Sequence, residues 1–506
     1  MAKWWTLIAV CIATFMLLLD ITVVNVALPY IERDLGSSFA DLQWVVDAYA
    51  LMLAAFLLTA GSVADRIGRR RVFVVGLAVF TAASALCGLA GTPLVLNLAR
   101  GLQGVGGSMM FATSLALLAA AYSGPARGTA IGIWGATIGG AVAVGPLIGG
   151  VLVEWIGWEA IFYVNVPIGI AAIYMTLQRV EESSDPQAGG ADWIGTVSFS
   201  AALFLLVFGL IRGNAEDWNA GVLACLVSAA VLLVAFVAAE RRVAHPMLDL
   251  TLFRKPSFGG ASIAAFVLSA SMFAMFLYLT LWVQNILGYS ALEAGLRFMP
   301  ITLVSFVIAP ISGKMAERVG VRWFLTAGLL CVGIGLLLMR GLAPGDDWTA
   351  LLAGFLIAGG GIGLTNPALA TAAIGVVEPR RSGMASGINS TFRQVGVATG
   401  IAAWGAIFQH VVAGRFTEEA ARAKLQRPPG LSGTDIADFV SFGGAQRTGN
   451  GALIRAAETA FDAGLNHILL IAGIVALVGS ALCAVLVRPA DFVAHAPAGA
   501  PAAVEA

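Results

Sequence analysis

Charge is scarce in this sequence: 11% of its 506 residues are Asp, Glu, Lys or Arg, where a soluble domain carries about a quarter. What charge there is cancels, 29 basic against 29 acidic side chains. There is neither the basic excess of a nucleic-acid binder nor the acidic excess of a solvating tail. Cysteine is nearly absent as well, and the five present lie in apolar stretches, odd in number and without metal-ligand spacing. Cys11, Cys87, Cys225, Cys331 and Cys483 therefore read as small packing residues. His245, His410, His467 and His495 fall in loops or at the ends of apolar runs, which leaves no buried imidazole relay. No Gly-x-x-x-x-Gly-Lys-Ser/Thr loop and no metal or nucleophile constellation occurs. Neither an enzyme nor a cofactor is indicated, and energy has to come from an ion gradient.

What the sequence has is hydrophobicity, 59% of all residues. A span needs roughly 20 apolar residues because only internally hydrogen-bonded backbone survives in hydrocarbon. Such runs lie near 5–30, 41–62, 72–90, 94–121, 128–154, 161–178, 193–211, 221–239, 258–287, 294–313, 322–340, 350–375, 385–413 and 466–487. The expected fold class is an all-α polytopic membrane protein of about fourteen transmembrane helices. The first run starts directly after Lys3 and exceeds signal-peptide length, so it is expected to stay as a helix. With the N-terminus inside, Arg66, Arg69, Arg70, Arg71, Arg127, Arg179, Arg241, Arg242, Arg318, Arg322, Arg380 and Arg381 fall in inner loops, against Arg33, Arg212 and Arg340 outside. That asymmetry predicts both termini in the cytoplasm of a protein embedded in the cytoplasmic membrane.

Gly61-Ser-Val-Ala-Asp65-Arg66-Ile-Gly68-Arg69-Arg70 recurs as Gly313-Lys-Met-Ala-Glu317-Arg318-Val-Gly320-Val-Arg322. Pro125-Ala-Arg127-Gly128 is echoed likewise around Pro379 to Gly387. The repeat predicts a six-helix bundle over 1–180 and a second over 258–490, with an inserted helix pair and its connections over 181–257. Substrate is then expected at the interface of the halves. Residues 414–465 read as a polar outer loop, with a short helix from Phe416 to Leu425, and 491–506 as a disordered cytoplasmic tail. A monomer is expected.

An ionisable residue inside an apolar run costs roughly 2.5–3.5 kcal/mol on insertion scales and so demands a partner, water or a use. Asp20 lies ~13 Å, and Asp47 and Arg100 ~10 Å, inside the outer ends of their helices at 1.5 Å per residue. They are candidates for proton coupling around a common cavity, Arg100 as the permanent charge beside the carboxylates. The plainer alternative is that Asp20 only pairs with Arg100 or caps a broken helix. Asn97, Arg100, Gln103 and Gly107 form one polar stripe. Asn25, Trp44, Tyr49, Gln103, Met109, Phe111, Asn366 and Arg393 are candidates for the substrate pocket. The inner loop with Gly61, Asp65, Arg66, Gly68, Arg69 and Arg70 reads both as a topology anchor and as a latch in which Asp65 pairs in one state and releases in the other. Gly145, Pro146, Gly149 and Gly150 read either as close helix packing or as a flexing seal.

Taken together, these residues resemble the major facilitator superfamily, and within it the fourteen-helix drug:proton antiporters, over nearly the whole chain. Leu19-Asp20-Ile-Thr-Val-Val-Asn25-Val-Ala-Leu-Pro29 is similar to that group's first-helix motif. Gly61 to Arg71 is similar to the loop after helix two, Asn97 to Gly107 to the fourth-helix arginine motif, and Gly145 to Gly150 to the antiporter motif. Trp158 to Gly169 resembles the segment opening helix six, although Glu159 and Ala160 depart from its usual Arg-Trp. The resemblance implies alternating access by rocking of two bundles, with Asp20 as the proton-coupling candidate and exchange favoured over uptake. The expected activity is proton-coupled export of small amphipathic drugs or antibiotics, cationic ones among the candidates. Export of one endogenous metabolite or lipid is the alternative of the same class, and a non-transporting receptor or scaffold that of a different class.

Overall fold

The computed structural model describes residues 2–492 apart from 38, 124, 185–192, 216–217, 244–247, 249, 378–381, 424–432 and 442–443. Most of the tail read at 491–506 thus lies outside the described residues, as do His245 and His495. Among the described residues there is helix and no strand, as apolar runs in lipid require.

The first half is α1 (Ala2–Leu35), α2 (Phe39–Ile67), α3 (Arg69–Gly88), α4 (Pro93–Ala121), α5 (Pro125–Trp155) and α6 (Asn165–Arg179), the last entered through a helical turn at Ala160–Tyr163. The inserted pair is α7 (Trp193–Ala215) and α8 (Ala220–Glu240). The second half is α9 (Pro256–Ile286), α10 (Ala291–Val319), α11 (Val321–Leu338), α12 (Leu352–Gly375), α13 (Ser382–Arg422) and α14 (Gly451–Leu486). Among the described residues, 12 helices are long and apolar enough to cross a membrane. The other two of the fourteen runs form α5 and α7, of which α7 has a shorter apolar stretch, Ile194–Leu210.

The internal repeat is visible in the backbone. α2 breaks from α3 at Gly68 (φ +119°), and α10 from α11 at Gly320 (φ +103°). Both angles lie where a Cβ is disfavoured, so glycine allows the same sharp turn in each half. The inserted pair sits against both halves: Phe199, Leu203 and Phe236 share a core with Leu58 of α2 and Met384 and Ile388 of α13. A Thr59–Ser200 hydroxyl hydrogen bond of 2.9 Å adds to that contact.

Residues 414–465 differ from the loop expected of them. α13 continues to Arg422, α14 already begins at Gly451, and two short helices, Gly433–Ser441 and Gly444–Arg447, lie between. The extension of α13 is polar but locally paired, Arg415 with Glu418 at 2.9 Å and Arg422 with Glu419 at 2.7 Å. Asn450 accepts hydrogen bonds from the N–H groups of Ala452 and Leu453 and so caps α14. Phe416, Ile436, Val440 and Leu453 are buried in the core of the second half. Two hydrogen bonds fasten this cap to α9: Trp282 Nε1 donates to Asp462, and Asn285 Nδ2 to the Ser441 carbonyl, each at 2.8 Å.

The halves touch unevenly. At the arginine-rich end a Cβ on Gly313 of α10 would lie 2.3 Å from the Gly128 carbonyl of α5, and one on Gly132 2.8 Å from Pro310 Cα. Gly387 of α13 meets the Leu57–Leu58 backbone of α2 at 3.1 Å on the same measure. Further along α5 the approach loosens to 3.7 Å at Gly139 and 3.9 Å at Gly140, and Gly150 has nothing within 4 Å. The bundles are therefore closed at the arginine-rich end. Gly313→Ala is expected to force α5 and α10 apart at an overpacking cost of about 1–3 kcal/mol. A spin-label distance across that end should lengthen, and an unchanged distance distribution would refute the close approach.

Candidate functional site

Asp20 lies in the middle of α1 with its side chain fully sealed from solvent. α4 brings Arg100 to it, Nη1 to Oδ2 at 2.5 Å, and Gln103 one turn later donates to Oδ1 at 2.8 Å. Asn165, the first residue of α6, donates to the same oxygen at 3.1 Å. Ser84 of α3 accepts from both amides, from Asn165 at 3.0 Å and from Gln103 at 3.2 Å, and donates to the Phe162 carbonyl at 2.9 Å. Side chains of α4 and α6 thus converge on the α1 carboxylate, α3 backs them through Ser84, and every group that reaches the carboxylate is a donor.

Arg100 is held independently of the carboxylate. Its Nε donates to the Val45 carbonyl at 2.9 Å, and Nη1 also reaches Gln103 Oε1 at 2.7 Å. Its guanidinium carbon stands 4.4 Å from the Tyr49 ring centroid and 5.8 Å from that of Phe162, within the range of cation–π attraction. Asn165 Oδ1 is buried without a hydrogen-bond partner. An unsatisfied amide acceptor beside a carboxylate is uncommon, since a buried orphan costs about 1–3 kcal/mol. Because amide orientation is an assignment, a flip of Asn165 would offer the acceptor that a protonated Asp20 needs.

The structure joins Asp20, Arg100 and Gln103 in one network and leaves Asp47 out of it. Asp47 is half-buried on α2, where Arg212 of α7 is the charge that acts on it. Arg212 also covers the Trp44 ring at 4.8 Å, and Trp44 packs on Phe208 at 5.9 Å. Trp44 and Asp47 therefore face the inserted pair. Ser84 and Asn165 belong to the network but were not singled out from the sequence. A serine in an apolar helix is unremarkable there, and Asn165 was noted only as part of the Trp158–Gly169 segment.

The arginine-rich loop makes a contact across the halves. Asp65 at the end of α2 pairs through Oδ1 with Arg69 at 2.8 Å, and its Oδ2 accepts from the Met384 N–H at 2.8 Å, in the first turn of α13. A carboxylate there meets the positive end of the helix, worth about 0.3–1 kcal/mol and up to about 2 when partly buried. Glu182, just past α6, accepts from the Arg70 and Arg71 N–H groups at 3.0 and 3.2 Å. A Cβ on Gly68 would lie 2.6 Å from the Glu182 carboxyl carbon, so a side chain at this turn would displace that carboxylate. Gly61 is buried within α2, and Arg66 is half-buried. Asp65→Asn keeps the shape and removes the charge. It is expected to depopulate the closed arginine-rich end by about fivefold, the equivalent of about 1 kcal/mol, as read from a spin-label distance distribution. An unaltered distribution would remove the latch role.

In α5, Gly145 and Gly149 turn toward α1 of the same half. A Cβ on Gly145 would lie 1.8 Å from Thr22 Oγ1, and one on Gly149 3.0 Å from Val23. Thr22 is two residues from Asp20, so α5 is fitted directly to the stretch of α1 that carries the carboxylate. The side chains of Pro146 and Asn25 lie outside the described residues.

A narrow cavity of about 20 Å³, room for about one water molecule, lies between the halves, lined by Ile138, Phe273, Phe276, Thr302, Ser305 and Asn366, among others. Of the pocket candidates, Asn366 lines it and Arg393 donates to Asn366 Oδ1 at 2.9 Å. The others lie elsewhere: Tyr49 beneath Arg100, Met109 against Gly76 of α3, and Phe111 against Trp134, with ring centroids 5.9 Å apart. Among the described residues no group of three His, Cys, Asp or Glu is placed to hold a metal ion.

Comparison with known proteins fits this arrangement. The family model described as Major Facilitator Superfamily matches residues 10–401. The chain is 38% identical over 404 residues to the multidrug resistance protein Stp of Mycobacterium tuberculosis, covering 79% of this chain and 75% of the relative. It is 32% identical over 502 residues to the tetracenomycin C resistance and export protein of Streptomyces glaucescens, covering 98% and 93%. The puromycin resistance protein pur8 of Streptomyces alboniger is 35% identical over 79% of this chain and 80% of its own length. Among solved structures, the human organic anion transporter MFSD10 superposes with TM-score 0.60 at 14% identity, over 94% of this chain and 99% of its own. A proton:xylose symporter superposes with TM-score 0.61 at 12% identity, covering 96% of each. These two show the shared fold. Two six-helix halves with matching glycine turns, the arginine-rich loop between α2 and α3, and the family match across most of the chain lead to one conclusion: the chain belongs to the major facilitator superfamily of membrane transporters.

Proposed function

We propose that this protein is a proton-coupled antiporter that exports small amphipathic compounds, antibiotics among them, across the cytoplasmic membrane. The names of its relatives support the cargo class. The excess of arginine at one end supports placing that end in the cytoplasm, so the closed side faces inward.

The observation that carries the coupling is the sealed carboxylate of Asp20, surrounded by donors only. An ionised carboxylate is acceptor-only, whereas its protonated form adds an O–H that needs an acceptor. Protonation thus changes what the pocket has to supply. Arg100 can let go of Asp20 while keeping Val45, Gln103 and the Tyr49 ring, and a turned Asn165 amide can receive the new proton. Because Thr22 of the same helix is wedged against Gly145, a shift at Asp20 is passed to α5, which also forms the closed contact with α10. Proton uptake from outside and substrate release then become two faces of one rearrangement.

Purified protein reconstituted in liposomes with an imposed pH gradient tests this reading, using tetracenomycin C and puromycin as cargo. Gradient-dependent substrate movement that a protonophore abolishes is expected. Transport indifferent to the protonophore would refute the coupling, and no transport of any tested amphipath would refute the exporter.

A further inference from the structure

Arg393 is a cation with no carboxylate partner among the described residues. It sits half-buried on α13, donates one hydrogen bond to Asn366 and lies 5.6 Å from the Phe273 ring centroid. An arginine carries five N–H donors, so most of its hydrogen-bonding capacity is unused. Elsewhere in the bundles Arg100 pairs with Asp20 and Arg69 with Asp65, and Arg212 acts on Asp47.

Both residues that Arg393 touches, Asn366 and Phe273, line the cavity between the halves. Phe273 ends a π-helical turn, Ser269–Phe273, and a second one follows at Trp282–Ile286. Such turns concentrate at functional sites because they leave the regular hydrogen-bond ladder and re-aim side chains. The cavity wall combines aromatic faces at Phe273 and Phe276, hydroxyls at Thr302 and Ser305, and this one uncompensated positive charge at its edge. A cation in a low-dielectric site attracts an opposite charge far more strongly than in water, and repels a like one equally.

We propose that this cleft, when the bundles part to widen it, binds the anionic group of an amphipathic substrate, a carboxylate, phenolate or sulfonate, on Arg393 and Asn366, with the aromatic body against Phe273 and Phe276. This rests on the exporter reading for its use but not for its test. It disfavours the cationic compounds counted among the candidate cargo: the charge at the edge of the cavity is positive, and a cation would meet repulsion there.

The probes are anilinonaphthalene sulfonate and its uncharged parent phenylnaphthylamine, which differ in the sulfonate alone. Binding to the purified protein in lipid nanodiscs is measured by equilibrium dialysis, with empty discs subtracted. The wild type should prefer the sulfonate by roughly ten- to a hundredfold, the worth of one charge-assisted hydrogen bond. Arg393→Gln should erase the preference, and Arg393→Lys should keep part of it, since lysine holds the charge without the planar fork. Equal affinity of the wild type for both probes, or an undiminished preference in Arg393→Gln, overturns the proposal. Because dialysis uses no gradient, a failed liposome transport assay strikes the exporter reading alone.

Discussion

Asp20→Asn is expected to leave a carrier that no longer concentrates its cargo. One proton moving down a difference of one pH unit releases about 1.4 kcal/mol, enough to sustain roughly a tenfold substrate gradient. The amide cannot take up that proton, so the gradient maintained by the variant should fall to about onefold. Asparagine has nearly the size of aspartate, but whichever way it turns, its NH2 faces a donor: Arg100 on one side, Gln103 and Asn165 on the other. Some stability is lost as well, about 1–3 kcal/mol for the mismatched donor. Efflux from everted vesicles under a fixed pH gradient, normalised to the amount of folded protein, checks this. Asp47→Asn provides the contrast. Asp47 is half-buried beside Arg212 and outside the network, so its loss should lower the accumulated gradient less than the loss of Asp20.

Arg100→Leu should be the more damaging change to the fold. Removing the guanidinium leaves Asp20 as a buried charge without a counter-ion, and breaking such a pair costs about 3–5 kcal/mol. It also takes a donor from the Val45 carbonyl and from Gln103, and empties the space over the Tyr49 ring. Arg100→Lys is not a remedy, because one planar group serves Asp20, Gln103 and Val45 at once while stacking on Tyr49, and an ammonium cannot reproduce that geometry. Helical circular dichroism during heating in detergent should show a clear fall in the midpoint for both variants. A lysine variant that melts and pumps like the wild type would show that only the charge matters.

The helical architecture was legible because lipid allows few options: a run of about twenty apolar residues has to be a helix. The glycine pair at Gly68 and Gly320 was legible as a repeat because the same turn needs the same residue twice. The outer segment was not. In the extension of α13 and the start of α14, helix continues where hydropathy ends, held by local pairs such as Arg415–Glu418 and by the Asn450 cap.

In the site, Asp20, Arg100 and Gln103 stood out because polar groups in apolar runs are conspicuous. Ser84 and Asn165 did not, since their part depends on α3 and α6 meeting α1 and α4. Trp44, Tyr49, Met109 and Phe111 were expected at the pocket on residue type. These helices are apolar on nearly every side, so the sequence carries little sign of which face meets the cleft. The structure turns Trp44 to the inserted pair and Phe111 to Trp134.

The most direct measurement is proton release. Purified protein in weakly buffered solution near neutral pH is mixed with saturating substrate, and the pH change is recorded for the wild type and for Asp20→Asn. The wild type should release protons as substrate binds, and the variant none. Release from Asp20→Asn equal to that of the wild type would contradict the assignment of this carboxylate as the group that exchanges proton for cargo.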